Sequence, residues 1–507
     1  MRLALELLEH LGGDLARLAE LDDDDRRRLV IAAGQISRPD RYTRAALGKA
    51  VARARKQARR GAAVAVLDQT GIRALRREPV FRTPLPQPEM PLLEPPRGDE
   101  PGEPDAWAAA EASRDQPPQI LDDQRHCYVC KADFVELHHF YDQLCPACAE
   151  LNFQKRSATA DLRGRTVLIT GARVKIGYQA AIKLLRAGAE VIVATRFPRD
   201  AARRFAGEPD ATDWAHRLRV YGIDLRHTPS VEQLCRHLLA TLSRLDGIIN
   251  NACQTVRRPA GWYDHVVGGE AEPLSAIEQA ILAGDRALHG EPTLALAATT
   301  AIQTAGLWRS AVLAQVPLLA EDLERGDALY PRGRLDQDLQ QIDHRDFNSW
   351  RMTLAEVPTA ELLEVQLVNA IAPFVLNARL RPLLAAVPTR DAHVVNVSAM
   401  EGQFYRRWKT DKHPHTNMAK AALNMMTRTS AVDYVRDGIH MNSVDTGWVT
   451  DEDPALFAAR KTAVHDFHPP LDIVDGAARI VDPLFDGIAT GHHQWGLFLK
   501  DYKPAPW

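Results

Sequence analysis

The chain has 507 residues, with 63 Lys or Arg against 66 Asp or Glu for a formal net charge of −3, and 45% of its side chains are hydrophobic. These are the proportions of an ordinary globular protein, with room for about three domains. The near-neutral balance excludes a global electrostatic drive toward nucleic acid or an anionic membrane. No run approaches ~18 uninterrupted apolar residues, so no membrane span is expected. The opening MRLALELLEHLGGDLARLAELDDDD lacks the basic start and cleavage site of a signal peptide, so a cytoplasmic location is the expectation.

Residues 1 to about 78 place Leu, Ala and Val at helical period and predict a small helical unit, broken at Gly12-Gly13, Pro39 and Gly61. Within it, Arg41 to Arg60 carries eight Lys/Arg and no acid. Leu47, Val51, Ala54 and Ala58 form a stripe that would pack and leave a basic face outside. A solvated helix face is the simplest reading, and docking to nucleic acid or an acidic protein partner is the alternative. From 79 to 120 there are eleven prolines, which suit neither a helix nor a sheet ladder, so this stretch reads as a linker.

Residues 121–156 contain CYVCKADFVELHHFYDQLCPAC, in which the pairs Cys127/Cys130 and Cys145/Cys148 are separated by fourteen residues. Two thiolates at Cys-x-x-Cys spacing point at one ion, and two such pairs close a four-sulfur shell. The segment resembles a zinc ribbon and implies a structural Zn2+, with iron or redox disulfides as the alternatives. A filled thiolate shell leaves no position for water, so metal binding would serve folding.

From about 160 to 507, apolar β-rich runs alternate with helical patterns and predict an α/β fold with a doubly wound, mostly parallel sheet. RTVLITGARVKIGYQAAIKLLRAGAEVIVATR, at 165–196, reads strand, tight turn, helix, strand, the unit that seats a pyrophosphate at a helix N-terminus. Beyond it come GIDL at 222–225, LDGIINNAC at 245–253, VNAIAPFVL at 368–376, VVNVSAM at 394–400, KAALNMMTRTSA from Lys420 and IHMNSVDTGWV at 439–449. In this order the motifs clearly resemble those of the short-chain dehydrogenase/reductase family, a Rossmann fold, over about 165–507.

The resemblance implies an oxidoreductase using NADP or NAD on a small-molecule substrate, often as a homo-oligomer. It places Gly171, Arg173, Ile176 and Gly177 beside the phosphates, Asp224 and Leu225 at the adenine, and Asn250, Asn251 and Ala252 along the cofactor strand. Lys420 would bind the nicotinamide ribose, and Asn369 would support a proton-relay water. Thr195 and Arg196 end the second strand where an NAD enzyme carries an acid. A cation there suits a 2′-phosphate, and Arg173 adds a second, so NADP is favoured over NAD.

Several positions depart from the pattern. Lys175 replaces the middle glycine, Cys253 the last residue of Asn-Asn-Ala-Gly and Thr446 the proline of the Pro-Gly turn. Ala399 stands at the serine position, with Ser398 one place earlier. Thr416 stands four before Lys420, where the family has its tyrosine. Reduction of a carbonyl needs a proton that a threonine hydroxyl is too weak an acid to give. Tyr405, His413 and His415 are the local substitutes, and a non-catalytic NADP(H)-binding adaptor is the alternative function. An insertion at about 254–360 is expected to cover the substrate cleft or make a subunit contact, with Trp262, Tyr263, Trp350 and Arg351 as candidate lining residues.

Overall fold

The computed structural model describes residues 2–85, 117–289, 310–405 and 409–507; most of the proline-rich stretch lies outside these residues. The chain divides into two compact units, Met1–Leu67 and Asp68–Trp507.

The first unit holds α1 (Arg2–Gly13), α2 (Asp23–Ser37) and α3 (Arg41–Leu67). Asp22 caps α2 by accepting the Asp25 N–H at 2.8 Å, and three aspartates follow in its first turn, where the helix dipole favours them. The expected break at Gly61 does not occur. The alanines at 62, 63 and 65 carry α3 through it against a glycine cost of about 1 kcal/mol. The stripe of Leu47, Val51, Ala54 and Ala58 is exposed rather than packed.

The second unit begins with α4 (Gly71–Arg77), which the sequence grouped with the N-terminal helices. Strands β1 (Gln119–His126) and β2 (Asp133–Leu137) pair antiparallel, and α5 (Pro146–Ser157) follows. Ile72, Phe134, Phe140, Tyr141, Leu144 and Phe153 form one apolar cluster with Leu471 and Val474 of the larger fold. The two parts are also joined by a buried ion pair. The Arg156 guanidinium donates to both oxygens of Asp472 at 2.5 and 2.7 Å, and Asp475 lies 3.2 Å away.

The main sheet has eight strands in the order β5-β4-β3-β6-β7-β8-β9-β10, parallel except for the last. They are β3 (Thr166–Thr170), β4 (Glu190–Thr195), β5 (Leu218–Gly222), β6 (Gly247–Asn250), β7 (Ala392–Ser398), β8 (Ile439–Asp445), β9 (Phe498–Lys500) and β10 (Lys503–Ala505). The central strands are buried on both faces and read as continuous apolar runs, as parallel strands do. Helices α6 (Lys175–Arg186) and α13 (Ile473–Thr490) cover one face. The other face carries α8 (Thr228–Thr241), α10 (Ala372–Ala385) and α11 (Pro414–Tyr434). A shorter helix, α7 (Pro198–Ala206), follows β4, α9 (Thr359–Gln366) precedes α10, and α12 (Ala455–His465) follows β8.

Among the described residues, only Thr359–Ala385 is long and apolar enough to cross a membrane by length and composition. Its Leu376, Leu380 and Leu384 are buried in the core against α8 and the sheet.

Removing one member of a buried ion pair strands the other as an unpaired charge. Arg156→Leu is therefore expected to lower unfolding stability by about 3–5 kcal/mol, read from urea melts of the full chain. A loss below about 1 kcal/mol would show that the apolar cluster alone holds the knuckle.

Candidate functional site

The strand order reverses direction between β3 and β6, and a cleft of about 980 Å3 opens at the carboxyl ends of the central strands. This is where open α/β sheets place ligands. The turn after β3 forms its floor. Gly171 has φ +70°, and a Cβ there would stand 2.7 Å from the Ala252 Cα. At Gly177 a Cβ would lie 2.2 Å from Asn251 Nδ2 and 2.5 Å from the Gly171 carbonyl oxygen. Both glycines thus let the turn close on the end of β6, where Asn251 Nδ2 donates to the Thr170 and Gly171 carbonyls at 3.1 Å. The N-cap of α6 is Val174, which offers no side-chain cap. The first-turn N–H groups of α6, at residues lining the cleft, are therefore not covered by a capping side chain and suit a phosphate.

Of the sequence-named residues, Gly171, Arg173, Ile176, Gly177, Thr195, Arg196, Leu225, Asn251, Ala252, Ser398 and Lys420 line this one cleft. Lys420 Nζ donates to the Val397 carbonyl at 2.7 Å, and Ser398 Oγ donates to Asn424 Oδ1 at 2.6 Å. The two expected 2′-phosphate cations differ. Arg173 is buried, pairs with Asp200 at 2.7 Å and donates to Gln340, whereas Arg196 stacks on the Tyr263 ring at 4.8 Å and donates to its hydroxyl. Burial also pushes the Arg173 pKa below its ordinary value. Both line the cleft, and Arg173 is the one already paired with a carboxylate.

Other expectations need correction. The Asp224 carboxylate does not line the cleft; it is clamped by the Arg226 guanidinium at 2.7 Å, leaving Ile223 and Leu225 on the wall. Asn250 lies behind the wall, donating to Asn377 and Asn396 at 2.9 and 2.8 Å. Asn369 sits in a π-turn, Leu367–Ile371, and holds the backbone of Gln254 from both sides, accepting its N–H at 2.7 Å and donating to its carbonyl at 3.1 Å.

The segment 165–265 matches the family described as short chain dehydrogenase, and 344–467 matches the one described as Enoyl-(Acyl carrier protein) reductase. The chain belongs to the short-chain dehydrogenase/reductase family. Uncharacterized protein R665 of Acanthamoeba polyphaga mimivirus is 30% identical over 372 residues, covering 71% of each chain. Mouse retinol dehydrogenase 14 is 41% identical over 103 residues, 18% of this chain and 30% of that protein, so this match spans under a third of it. Carbonyl reductase Sniffer of D. melanogaster superposes with a TM-score of 0.41 at 17% identity, over 68% of this chain and 99% of that one, which adds nothing to the fold already read from the sheet.

Among the described residues near Lys420, none takes the place of the family tyrosine in the cleft. Thr416 is buried with its hydroxyl donating to the His413 carbonyl at 2.8 Å. His413, in the left-handed conformation at φ +44°, is buried under the Trp350 ring at 3.8 Å and does not line the cleft. Tyr405 also lies outside it, 48% exposed. From the insertion, Trp262, Tyr263 and Trp350 do line the cleft, while Arg351 stacks on Phe457 and reaches Asp453.

Sequence reasoning missed Tyr128, Lys131, Asp445 and Glu452 as wall residues; Lys175, at the middle-glycine position of the turn, lines the wall as well. Tyr128 belongs to the first Cys-x-x-Cys pair, and its hydroxyl oxygen accepts the Trp448 N–H at 2.9 Å, just beyond β8. Burial, with Asp445 and Asp501 nearby, raises its pKa above the usual phenol value. Asp445 accepts from the Met400 and Gly447 N–H groups, and burial raises its carboxyl as well.

In the knuckle, the four sulfurs of Cys127, Cys130, Cys145 and Cys148 lie within 4.8 Å of one another, and Cys130 and Cys145 are 3.6 Å apart. Sulfurs at about 2.3 Å from a tetrahedral zinc stand about 3.8 Å apart, so the group is compatible with that ion. The Ala132 N–H helps lower the Cys130 thiol to about 7, whereas burial raises the thiols of Cys145 and Cys148.

The closeness of the turn gives a direct test. Gly177→Ala forces a methyl against backbone and is expected to cost about 1–3 kcal/mol of stability in urea unfolding. An unchanged midpoint would mean that the β6 end yields freely.

Proposed function

We propose that this chain is an NADP(H)-dependent oxidoreductase with a divergent active site, acting on a carbonyl/alcohol pair or an activated double bond of a small molecule, and that the knuckle holds a structural Zn2+. One observation carries the reading: a single cleft joins the dinucleotide turn, Arg196, Lys420 and Ser398. The bound nicotinamide supplies or accepts a hydride. Arg196 takes the 2′-phosphate and the first turn of α6 the pyrophosphate. Lys420, aimed by the Val397 carbonyl, holds ribose hydroxyls. Asn369 fixes the wall at Gln254 rather than touching the reacting atoms.

The proton comes from Tyr128. Its ring enters the cleft from the knuckle, beside the loop that follows Asp445, and Asp445 pairs in register with Ser398. The phenol is protonated at neutral pH and can give its proton to a nascent alkoxide, a stronger base than phenolate. The burial that raises its pKa makes it a weaker acid than a free phenol. The Trp448 N–H, already donating to the phenol oxygen, stabilises the phenolate left behind. Lys131 and Lys500 line the same wall, and the Lys500 ammonium lies 5.5 Å from the Tyr128 ring centroid.

A second reading, an NADP(H)-binding adaptor without turnover, is favoured by the burial of Thr416 and His413 away from the cleft. Fluorescence titration with NADPH and NADH separates the cofactor claims. Arg196→Asp is expected to weaken NADPH about tenfold, the worth of one charged hydrogen bond, and to change NADH little. Equal effects on both would remove Arg196 from the 2′ position.

For chemistry, Tyr128→Phe is expected to keep NADPH affinity and lose roughly 100-fold in carbonyl reduction. Retained turnover would assign the proton to another group. Binding of NADPH by the unmodified chain with no turnover across a broad carbonyl screen would establish the adaptor.

A further inference from the structure

At the other end of the sheet from the cleft, three histidines converge. His393 is the second residue of β7 and His440 the second of β8, and the two pair in register on adjacent parallel strands. They therefore point to the same face. His493 arrives from the loop after α13, whose helix ends at Gly491 in the left-handed conformation at φ +71°. One ring nitrogen from each histidine lies within 4.8 Å of the others, and His393 Nε2 stands 3.0 Å from His493 Nδ1. His393 is buried, and its Nδ1 has no hydrogen-bond partner among the described residues.

We propose that His393, His440 and His493 form a second metal site, for a divalent transition cation of the zinc type, separate from the cysteine knuckle. Imidazole nitrogens at about 2.0–2.1 Å from a tetrahedral zinc stand roughly 3.3 Å apart, within the spread seen here. The arrangement also supplies an outer partner. His440 Nδ1 lies 3.3 Å from the Ala392 carbonyl oxygen, which can only accept, so Nδ1 carries the proton and Nε2 presents a lone pair.

A second observation concerns the space in front of the rings. Gly487 of α13 faces the cluster, and a Cβ there would lie 2.6 Å from His493 Nδ1 and 3.0 Å from His393 Nε2. The helix thus carries its smallest residue where any side chain would fill the ligand cradle. Ser398, at the cleft end of β7, is five residues from His393, or about 17 Å at ~3.3 Å per residue, so the ion would not touch the reacting atoms. Its effect would be to clamp β7 and β8 to the segment that leads into β9. That segment is otherwise held by the Gly496 N–H donating to the Met441 carbonyl and by Asn442 bonding to Gln494 and Leu497.

Elemental analysis of metal-replete full-length protein after desalting, with Zn2+ and then Co2+ as the probe, is expected to find two ions per chain. His493→Asn and Gly487→Ala should each reduce this to one and leave the thiolate-to-Co2+ charge-transfer band of the knuckle in place. Cys130→Ser should remove that band while the histidine-bound Co2+ remains. Gly487→Ala is the decisive variant, because alanine is the better residue inside a helix and its effect on the ion is not a failure to form α13. Retention of two ions by both His493→Asn and Gly487→Ala would overturn the proposal. So would a wild-type chain that binds one ion, lost with Cys130→Ser.

Discussion

The position of the knuckle against the Rossmann fold depends on one buried cation, Arg156. Its guanidinium lies at the end of α5 and is met by two carboxylates from the start of α13. Those carboxylates already have work in their own helix. Asp472 is its N-cap, accepting the Val474 and Asp475 N–H groups at 2.9 and 3.0 Å, and Asp475 closes the capping box by accepting the Asp472 N–H. Two adjacent buried acids repel, and burial pushes Asp475 upward while Arg156 holds Asp472 below its ordinary value. The Tyr141 hydroxyl donates to Asp475 at 2.5 Å, so the second acid has a donor of its own. The group extends to Arg479, which donates to Asn152 of α5 and to Asp501 of the C-terminal turn. An unfilled vertex in such a network would leave a charge in an apolar interior, so the parts assemble together or not at all. This is what brings Tyr128 to the cleft.

A comparable group seats the insertion. Arg257, at its start, donates to Glu364 at 3.0 Å and to both oxygens of Asp322 at 2.7 and 2.6 Å. Glu364 in turn accepts from Arg226 at 2.7 Å, and Arg226 clamps Asp224. Asp224 is thereby tied through Arg226 to the group that seats the insertion. The same insertion lends Tyr263 to Arg196 and Gln340 to Arg173, so it shapes the cofactor pocket as well as the mouth of the cleft.

The strands were legible in the sequence because parallel strands buried on both faces are unbroken apolar runs. The strand, turn, helix, strand reading of 165–196 matches the observed strands Thr166–Thr170 and Glu190–Thr195. The turn was legible because a Cβ at Gly171 or Gly177 would stand under 3 Å from backbone atoms of the turn and of the β6 end. What was hidden is which polar residues the fold consumes internally. Arg226 lies two residues from Asp224, and that Asp-x-Arg spacing was a usable signal. Asn250 gave none, since its partners Asn377 and Asn396 are 127 and 146 residues away. Tyr128 was invisible for the same reason: the docking that gives it a role runs through Arg156 to Asp472, 316 residues on. His393 and His440 become neighbours only once the register of β7 and β8 is known.

Lys175 shows how the cleft departs from fold stability alone. It occupies the middle-glycine position of the turn at φ +57°, where an L-residue costs about 1–2 kcal/mol and glycine almost nothing. Burial opposes its charge, yet Glu452, Asp338 and Asp336 hold its pKa above the ordinary lysine value. Glycine would therefore serve the fold better on both backbone and solvation grounds. The cation lies beside the first turn of α6, where amide N–H groups already suit an anion, and it adds a full positive charge to that partial one. Both the left-handed backbone and the partly desolvated charge are costs to the fold at this one cleft position. The acids around it, Glu452 first, favour the charged ammonium, and Lys175 in turn lowers the Glu452 carboxyl.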